Sequence, residues 1–535
     1  MRISLLCMWA CLLSCAVFAQ KAKKETLLIP YRIGNQWGYS DTQGKLKIPA
    51  KFEETDFFLQ DLAKVRLNGL QGLIDKKGSF FLPCLYNIVY GAGSLTRIVV
   101  CKGGDKNGHT GKWGFVTRYF PEKTMISLDY DLLRECGGKG LLGVMQQGRW
   151  GAISGDGKLR IPIMYQVGSV KDHSFNPDSQ LITSLPTDEI KDSPYLKLRF
   201  EDGLARVSKD KKWGFLNEAG NPVIPIEYAF VGEFSEDLVA VVRETPEGLR
   251  LGFVNSFNEM IIPLQYEVRE TAYQTTKFAN NLALVCQAGK FGYINPKNET
   301  VIPFKYAQAH LFSEDRAWVS YDYHSLQPAW EMLDKEGNTL YKLPTDYQLL
   351  DYTFQQGFVR VRQAGKENFI NRKGNLLLKD WANHLEPFYD NIAFIVTQIG
   401  EKAQAGYVNS KGDWAIEPLY DYKPNNTHTQ RTSDFIKLSQ AGKVGIINTK
   451  GKIILPFIYD DIILPYYLPD GKLYGNDSYL PACYEGKWGY LNAQQVWAVM
   501  PKYEQARSFS AGYAKVKYEG KWGYIDTKGK EFWQF

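Results

Sequence analysis

The chain has 535 residues, 44% of them hydrophobic and 14% aromatic, and a net charge of +6. Acidic and basic residues are interspersed, so the imbalance favours solubility with at most a weak preference for anionic partners, and no basic helix or dense Arg/Lys tract argues for nucleic acid. Beyond the N-terminus no stretch reaches the roughly 18 apolar residues of a membrane span, so the mature chain reads as soluble or peripherally anchored.

Arg2 gives a short basic start, Ile3 to Leu13 is nearly all apolar, and small residues end at Val17-Phe18-Ala19 before Gln20. This is the pattern of a secretory signal peptide. Residues 1–19 are expected to be removed and residues 20–535 to form the mature protein. Leu12-Leu13-Ser14-Cys15 also loosely resembles a lipoprotein cleavage box, but Leu13 is a poor residue at its position, so soluble export is the preferred reading. Cys84, Cys101, Cys136, Cys286 and Cys483 are too scattered for a disulfide framework or a metal knuckle. Each reads as a small buried apolar residue, with Cys84–Cys101 the one bridge considered.

From Gln36-Trp37-Gly38-Tyr39-Ser40-Asp41 to Lys521-Trp522-Gly523-Tyr524-Ile525-Asp526 one phrase recurs in about thirteen copies. Its Trp-Gly pair stands at Trp37-Gly38, Trp113-Gly114, Trp150-Gly151, Trp213-Gly214, Trp488-Gly489 and Trp522-Gly523. Elsewhere Gly persists without Trp, as at Gly72, Gly252, Gly292, Gly406 and Gly445, and Glu331 and Asn368 replace it in two degenerate copies. Gly is more constant than Trp, which points to a backbone requirement, either an unusual dihedral or close strand contact.

Three residues on, Asp or Asn recurs (Asp41, Asp75, Asn217, Asn448, Asp526), followed after three more by Gly (Gly44, Gly78, Gly220, Gly451, Gly529). This spacing predicts a turn in which the side chain accepts from nearby N–H groups. Most copies offer too few carboxylates for calcium. An apolar stretch ending in Pro comes next, then an aromatic, as in Ile48-Pro49 to Phe52 and Ile224-Pro225 to Tyr228. The Pro marks a strand edge or bulge, and the aromatic is placed to seal the joint between units. Alternating segments such as Leu62-Ala63-Lys64-Val65 and Tyr513-Ala514-Lys515-Val516 predict a half-buried strand that turns into the next Trp-Gly strand.

The expected unit is about three short strands, unable to bury a core without its neighbours. The fold class is therefore all-β: tandem short antiparallel sheets in an open superhelical or solenoid-like array, with one or two propeller-like rings as the alternative. Uneven spacing and degenerate copies favour the open array.

The phrase Gly-Lys-Trp-Gly-Tyr-Ile-Asp-x-x-Gly-Lys, best kept around Trp37, Trp213, Trp488 and Trp522, resembles the WG-repeat (KWG-repeat) family over roughly residues 28–535. The resemblance implies a β-repeat fold, bacterial proteins that include exported ones, and interaction roles, with no general catalytic residues. The signal ending in Phe-Ala-Gln looks like those of Bacteroidetes-type bacteria.

No catalytic, cofactor or metal site is read from the sequence. The six histidines form no compact ligand motif, and no nucleophile elbow or phosphate loop stands in the right context. The informative places are interruptions of the repeat: residues 173–195, and the segment carrying Tyr466, Tyr467, Tyr474 and Tyr479, whose rings and hydroxyls suit glycan or peptide contacts. The leading expectation is an exported, non-enzymatic binding or scaffold protein contacting an envelope protein or a glycan. The alternatives are a carbohydrate-active or peptidase-like enzyme with a site assembled across repeats, and a structural spacer.

Overall fold

In Leu62–Leu67 the side chains of Leu62, Ala63 and Val65 are buried while Lys64 and Arg66 stay half-exposed. Asn68 (φ 52°) and Gly69 (φ 73°) then reverse the chain, a pair of left-handed residues suited to the twist of a two-residue hairpin. The returning strand, Leu70–Asp75, carries the position of the Trp-Gly pair and is itself flanked by Phe80–Tyr86. Between these two, Asp75 Oδ1 accepts from the backbone N–H groups of Lys77 and Ser79, both at 2.9 Å. The turn expected from the Asp/Asn spacing is thus present, and it recurs at Asp41, Asn217, Asn448 and Asp526.

A fourth strand, Glu54–Thr55, pairs with the far edge of Leu62–Leu67. It is the element that the three-strand reading lacks. Two residues are too short to carry an alternating pattern, and only the neighbouring edge selects them as a strand.

The computed structural model describes residues 27–91, 97–104, 110–117, 125–167, 198–269, 276–322, 328–422, 430–432, 434–464 and 479–534. The expected signal peptide with Cys15, the insertion at 173–195, and Tyr466, Tyr467 and Tyr474 lie outside them. Among the described residues the strands form twelve sheets, one of them an eight-stranded sheet in which two units are joined through Glu267 and Cys286.

Successive sheets bury their faces against each other. Leu62, Leu73, Leu82 and Tyr86 of one unit share a cluster with Val89, Ile98, Val100 and Val116 of the next. The turn glycines reach across this joint: a methyl group at Gly78 (φ +83°) would lie 3.0 Å from Ile48, and one at Gly337 (φ +85°) 3.2 Å from Ile302. Tyrosine hydroxyls do the same. Tyr39 donates to the Asp56 carbonyl at 2.8 Å, and Tyr490 to the Arg507 carbonyl at 2.8 Å. Tyr266, the aromatic beyond a Pro, donates to Asn298 Oδ1 at 2.7 Å in the following unit's turn.

The tandem array of small antiparallel sheets is the one the repeat phrase predicts. Its first and last units also touch. Trp533–Gln534 pairs in parallel with Ile29–Ile33, occupying the sheet position that the short strand fills elsewhere. Ile29, Trp37, Tyr39, Phe52, Tyr524 and Phe532 share one buried cluster, and Arg32 Nε donates to the Trp522 carbonyl at 2.8 Å.

Candidate functional site

The residues singled out by the repeat occupy the second long strand of each sheet. Trp37, Trp113, Trp150 and Trp213 are buried, whereas Trp488 and Trp522 are half-buried. At Gly38, Gly151, Gly214 and Gly489 the backbone of the Pro-containing strand passes directly over the glycine. A Cβ at Gly489 would stand 2.6 Å from the Val499 carbonyl oxygen, and one at Gly406 2.7 Å from that of Ile416. The pairing register slips at this point, between Trp37 and Tyr39 and between Trp488 and Tyr490, and between Trp113 and Phe115 around Gly114. Close strand contact at a bulge, not an unusual dihedral, is the backbone requirement. At Gly523 it is the indole of Trp533 that fills the space.

The degenerate copies show what replaces glycine. Asn368 is fully buried. Its Nδ2 donates to the Leu378 carbonyl at 2.9 Å, and its Oδ1 accepts from the N–H groups of Phe369 (2.8 Å) and Leu378 (3.0 Å). An amide side chain thus satisfies backbone groups that a paired strand would otherwise take. Beside it, Glu367 stands where other copies have Trp. Arg362 Nη2 donates to Glu367 Oε1 at 2.6 Å and Leu385 N–H to Oε2 at 2.8 Å, with His384 Nδ1 3.6 Å away. Glu331, by contrast, pairs with Lys342 at 2.8 Å and accepts from the Thr339 hydroxyl.

A second recurrent feature is a cation on the strand before the Trp-Gly position, directly opposite the residue after the glycine. Lys64 pairs with Asp56 at 3.1 Å and Lys437 with Asp461 at 3.1 Å. Arg360 Nε and Nη2 donate to the two oxygens of Asp351 at 2.7 and 2.8 Å. Both oxygens of Asp351 are engaged, and each of the three pairs joins a cation to a carboxylate as a clamp.

His310 is stacked on Tyr352, with ring centroids 3.7 Å apart, and lies 5.2 Å from Trp330. Burial among these rings pushes its pKa down to about 4, which holds it neutral near pH 7. Burial pushes the Cys286 thiol up, so it is not a ready nucleophile. The bridge considered between Cys84 and Cys101 is absent: each carries a thiol, Cys84 Sγ lying 3.9 Å from the Val65 carbonyl and Cys101 Sγ 4.0 Å from that of Gly103. Among the described residues no group of three His, Cys, Asp or Glu is arranged to hold a metal ion, and no helix is long and apolar enough to cross a membrane.

Of the four tyrosines named from the sequence, only Tyr479 falls within the described residues. It opens the strand Tyr479–Tyr484, is half-buried, and packs on Phe509 at 5.1 Å. The charge clamps and the Glu367–Asn368 pair carried no sequence signal beyond breaking the Trp-Gly phrase, and their partners are brought in by strand pairing.

The observation that places the chain is the recurrence of the bulged Trp-Gly strand. The matching family is the WG containing repeat. Its model matches residues 37–70, 198–213, 213–244, 252–291, 291–323, 406–422, 445–467 and 488–522. Among curated proteins none matches. Solved structures with some likeness include dipeptidyl peptidase 4 of Porphyromonas gingivalis (10% identity, 65% of this chain and 63% of that one, TM-score 0.29). An uncharacterized protein of Listeria monocytogenes is 8% identical over 60% of this chain and 90% of that one, with a TM-score of 0.25. A eukaryotic initiation factor is 8% identical over 74% of this chain and 95% of that one, with a TM-score of 0.26. Scores this low carry no argument about fold or activity.

Proposed function

We propose that this WG-type repeat protein is an exported, non-enzymatic binding or scaffold protein whose extended surface contacts an envelope protein or a glycan. The observation that carries the reading is the array itself. Each unit adds the same buried joint and leaves turns and strand edges facing solvent, so the surface grows with every repeat while the core stays local. Large apolar side chains stand on that surface, among them Phe257 (81% exposed), Met500 (66%) and Tyr389 (59%). Export rests on the residue pattern of positions 1–19, with the periplasm, the outer-membrane face and the medium as destinations, and soluble export preferred over lipid anchoring at Cys15.

Affinity capture with the chain from Gln20 onward, against extracts of its own cell envelope, tests the reading. A saturable, competable protein or glycan is expected. No enrichment over an unrelated β-repeat protein would overturn it in favour of a spacer. Deleting residues 466–478, with Tyr466, Tyr467 and Tyr474, should weaken capture without moving the unfolding midpoint; unchanged capture would remove that segment from the binding surface.

A further inference from the structure

The cation clamp is complete at Lys64, Arg360 and Lys437, but not in the last unit. Lys515 occupies the same strand position, opposite Tyr524 as Lys64 is opposite Leu73. In the Lys64 unit the carboxylate partner comes from Asp56, whose N–H donates to the Lys64 carbonyl at 2.9 Å. In the last unit the residue making that same backbone bond, to the Lys515 carbonyl at 2.9 Å, is Arg507. Acid has become base at the one place where the lysine needs an anion.

The pair lies where the ends of the array meet. Arg507 and Lys515 both sit over the Trp522 ring, at 5.5 and 5.6 Å, and Lys515 Nζ is 5.8 Å from the Tyr524 ring. Lys64 and Asp56 approach from the second unit. The nearby carboxylates are already engaged, Asp56 by Lys64 and Glu54 by Arg66 at 3.0 Å. Among the described residues neither Lys515 nor Arg507 has a carboxylate within ion-pair distance. Burial, together with Arg507 and Lys64, lowers the Lys515 pKa against the pull of Asp56 and Glu54. Two neighbouring cations, one of them half-buried, leave a local excess of positive charge that a bound anion would neutralise.

The half-buried Trp522 ring lies beside both cations, and Phe57 continues the aromatic surface, 4.8 Å from Tyr524 and 5.5 Å from Tyr513. A carboxylate on a flexible peptide needs only the cations. A pyranose ring with a carboxylate also uses the rings, laying its C–H face on an aromatic while the charge reaches the cations.

We propose that Lys515 and Arg507 form a binding site for the carboxylate of an acidic, uronic-acid-containing glycan, at the seam between the first and last units. The proposal rests on the binding role above and names its site and ligand class. The site takes from solution the carboxylate that Asp56 supplies within the second unit.

The test is calorimetric titration of the chain with oligogalacturonate, its methyl ester and a glutamate-rich peptide, at low and high salt. Oligogalacturonate should bind, more weakly at high salt, and the uncharged ester and the peptide should not. Arg507→Asp installs the internal carboxylate of the Lys64 unit and Lys515→Met keeps the apolar stem without the charge. Each should weaken oligogalacturonate binding about tenfold or more, and thermal unfolding of both variants verifies that they fold. No binding of oligogalacturonate, equal binding of the ester, tighter binding of the peptide, or affinity unchanged in Arg507→Asp would each overturn the proposal. A captured envelope partner that survives Arg507→Asp would leave the binding role standing and remove only this site.

Discussion

At Gly406 the backbone of the neighbouring strand leaves no room for a methyl group, with the Ile416 carbonyl oxygen 2.7 Å and the Pro418 nitrogen 2.9 Å from where a Cβ would stand. Gly406→Ala should cost about 1–3 kcal/mol in urea unfolding, whereas Gly155→Ala, with nothing within 4 Å, should change little. Equal effects would mean that contact is not what the glycine serves. At Asn368 an amide bonds to Leu378 in place of a paired strand, so Asn368→Ala, which leaves the Leu378 N–H and carbonyl without that partner, should cost about 1–3 kcal/mol. His310 makes a pH prediction. Its folded pKa, lowered to about 4 from 6.5 by burial, means that the unfolded chain binds the extra proton between those values. Its contribution to stability is therefore present above pH 6.5 and is lost as pH falls towards 4. His310→Phe should flatten that fall in the unfolding midpoint; an unchanged slope would assign it to other groups.

At the scale of the element, the hairpin and the turn were legible because each depends on residues close in sequence. Asn68-Gly69 and Asp75 with Gly78 fix their own backbone geometry, and the side-chain acceptor lies within four residues of its donors. The strand Glu54–Thr55 was not legible, since it is defined by pairing with Arg66 and Val65, beyond the reach of a local pattern. The candidate site divides in the same way. The Trp-Gly positions could be named from the phrase, but the Asp351–Arg360 and Lys437–Asp461 clamps could not, because alternation marks a cation as facing out and does not say which carboxylate meets it. Tyr479 illustrates the converse: grouped with a tyrosine-rich segment by sequence, it is held by strand pairing to Asn492 and by Phe509.

At the scale of the molecule, the first and last units share a buried cluster that includes Ile29, Trp37, Tyr524 and Phe532, and next to it in the chain stands Trp533. It pairs with Arg32, fills the space at Gly523 and packs with Tyr490 and Tyr503. Trp533→Ala should therefore cost about 3–5 kcal/mol and raise amide hydrogen exchange in Ile29–Ile33 as well as in Lys521–Asp526. Faster exchange in the C-terminal strand alone would show that the joint does not stabilise the first unit. The sequence by itself determined most of the unit: its three longer strands, its turns, the recurrent glycine and the apolar joint follow from a phrase of about forty residues that repeats. Only the tertiary structure decided that the two ends touch, that Trp533–Gln534 stands in for a missing strand, and that Arg507 and Lys515 face a seam rather than another repeat. A repeat specifies the contact of each unit with the next, whereas the meeting of first and last depends on how the small rotations between units accumulate, and no single copy of the phrase encodes that sum.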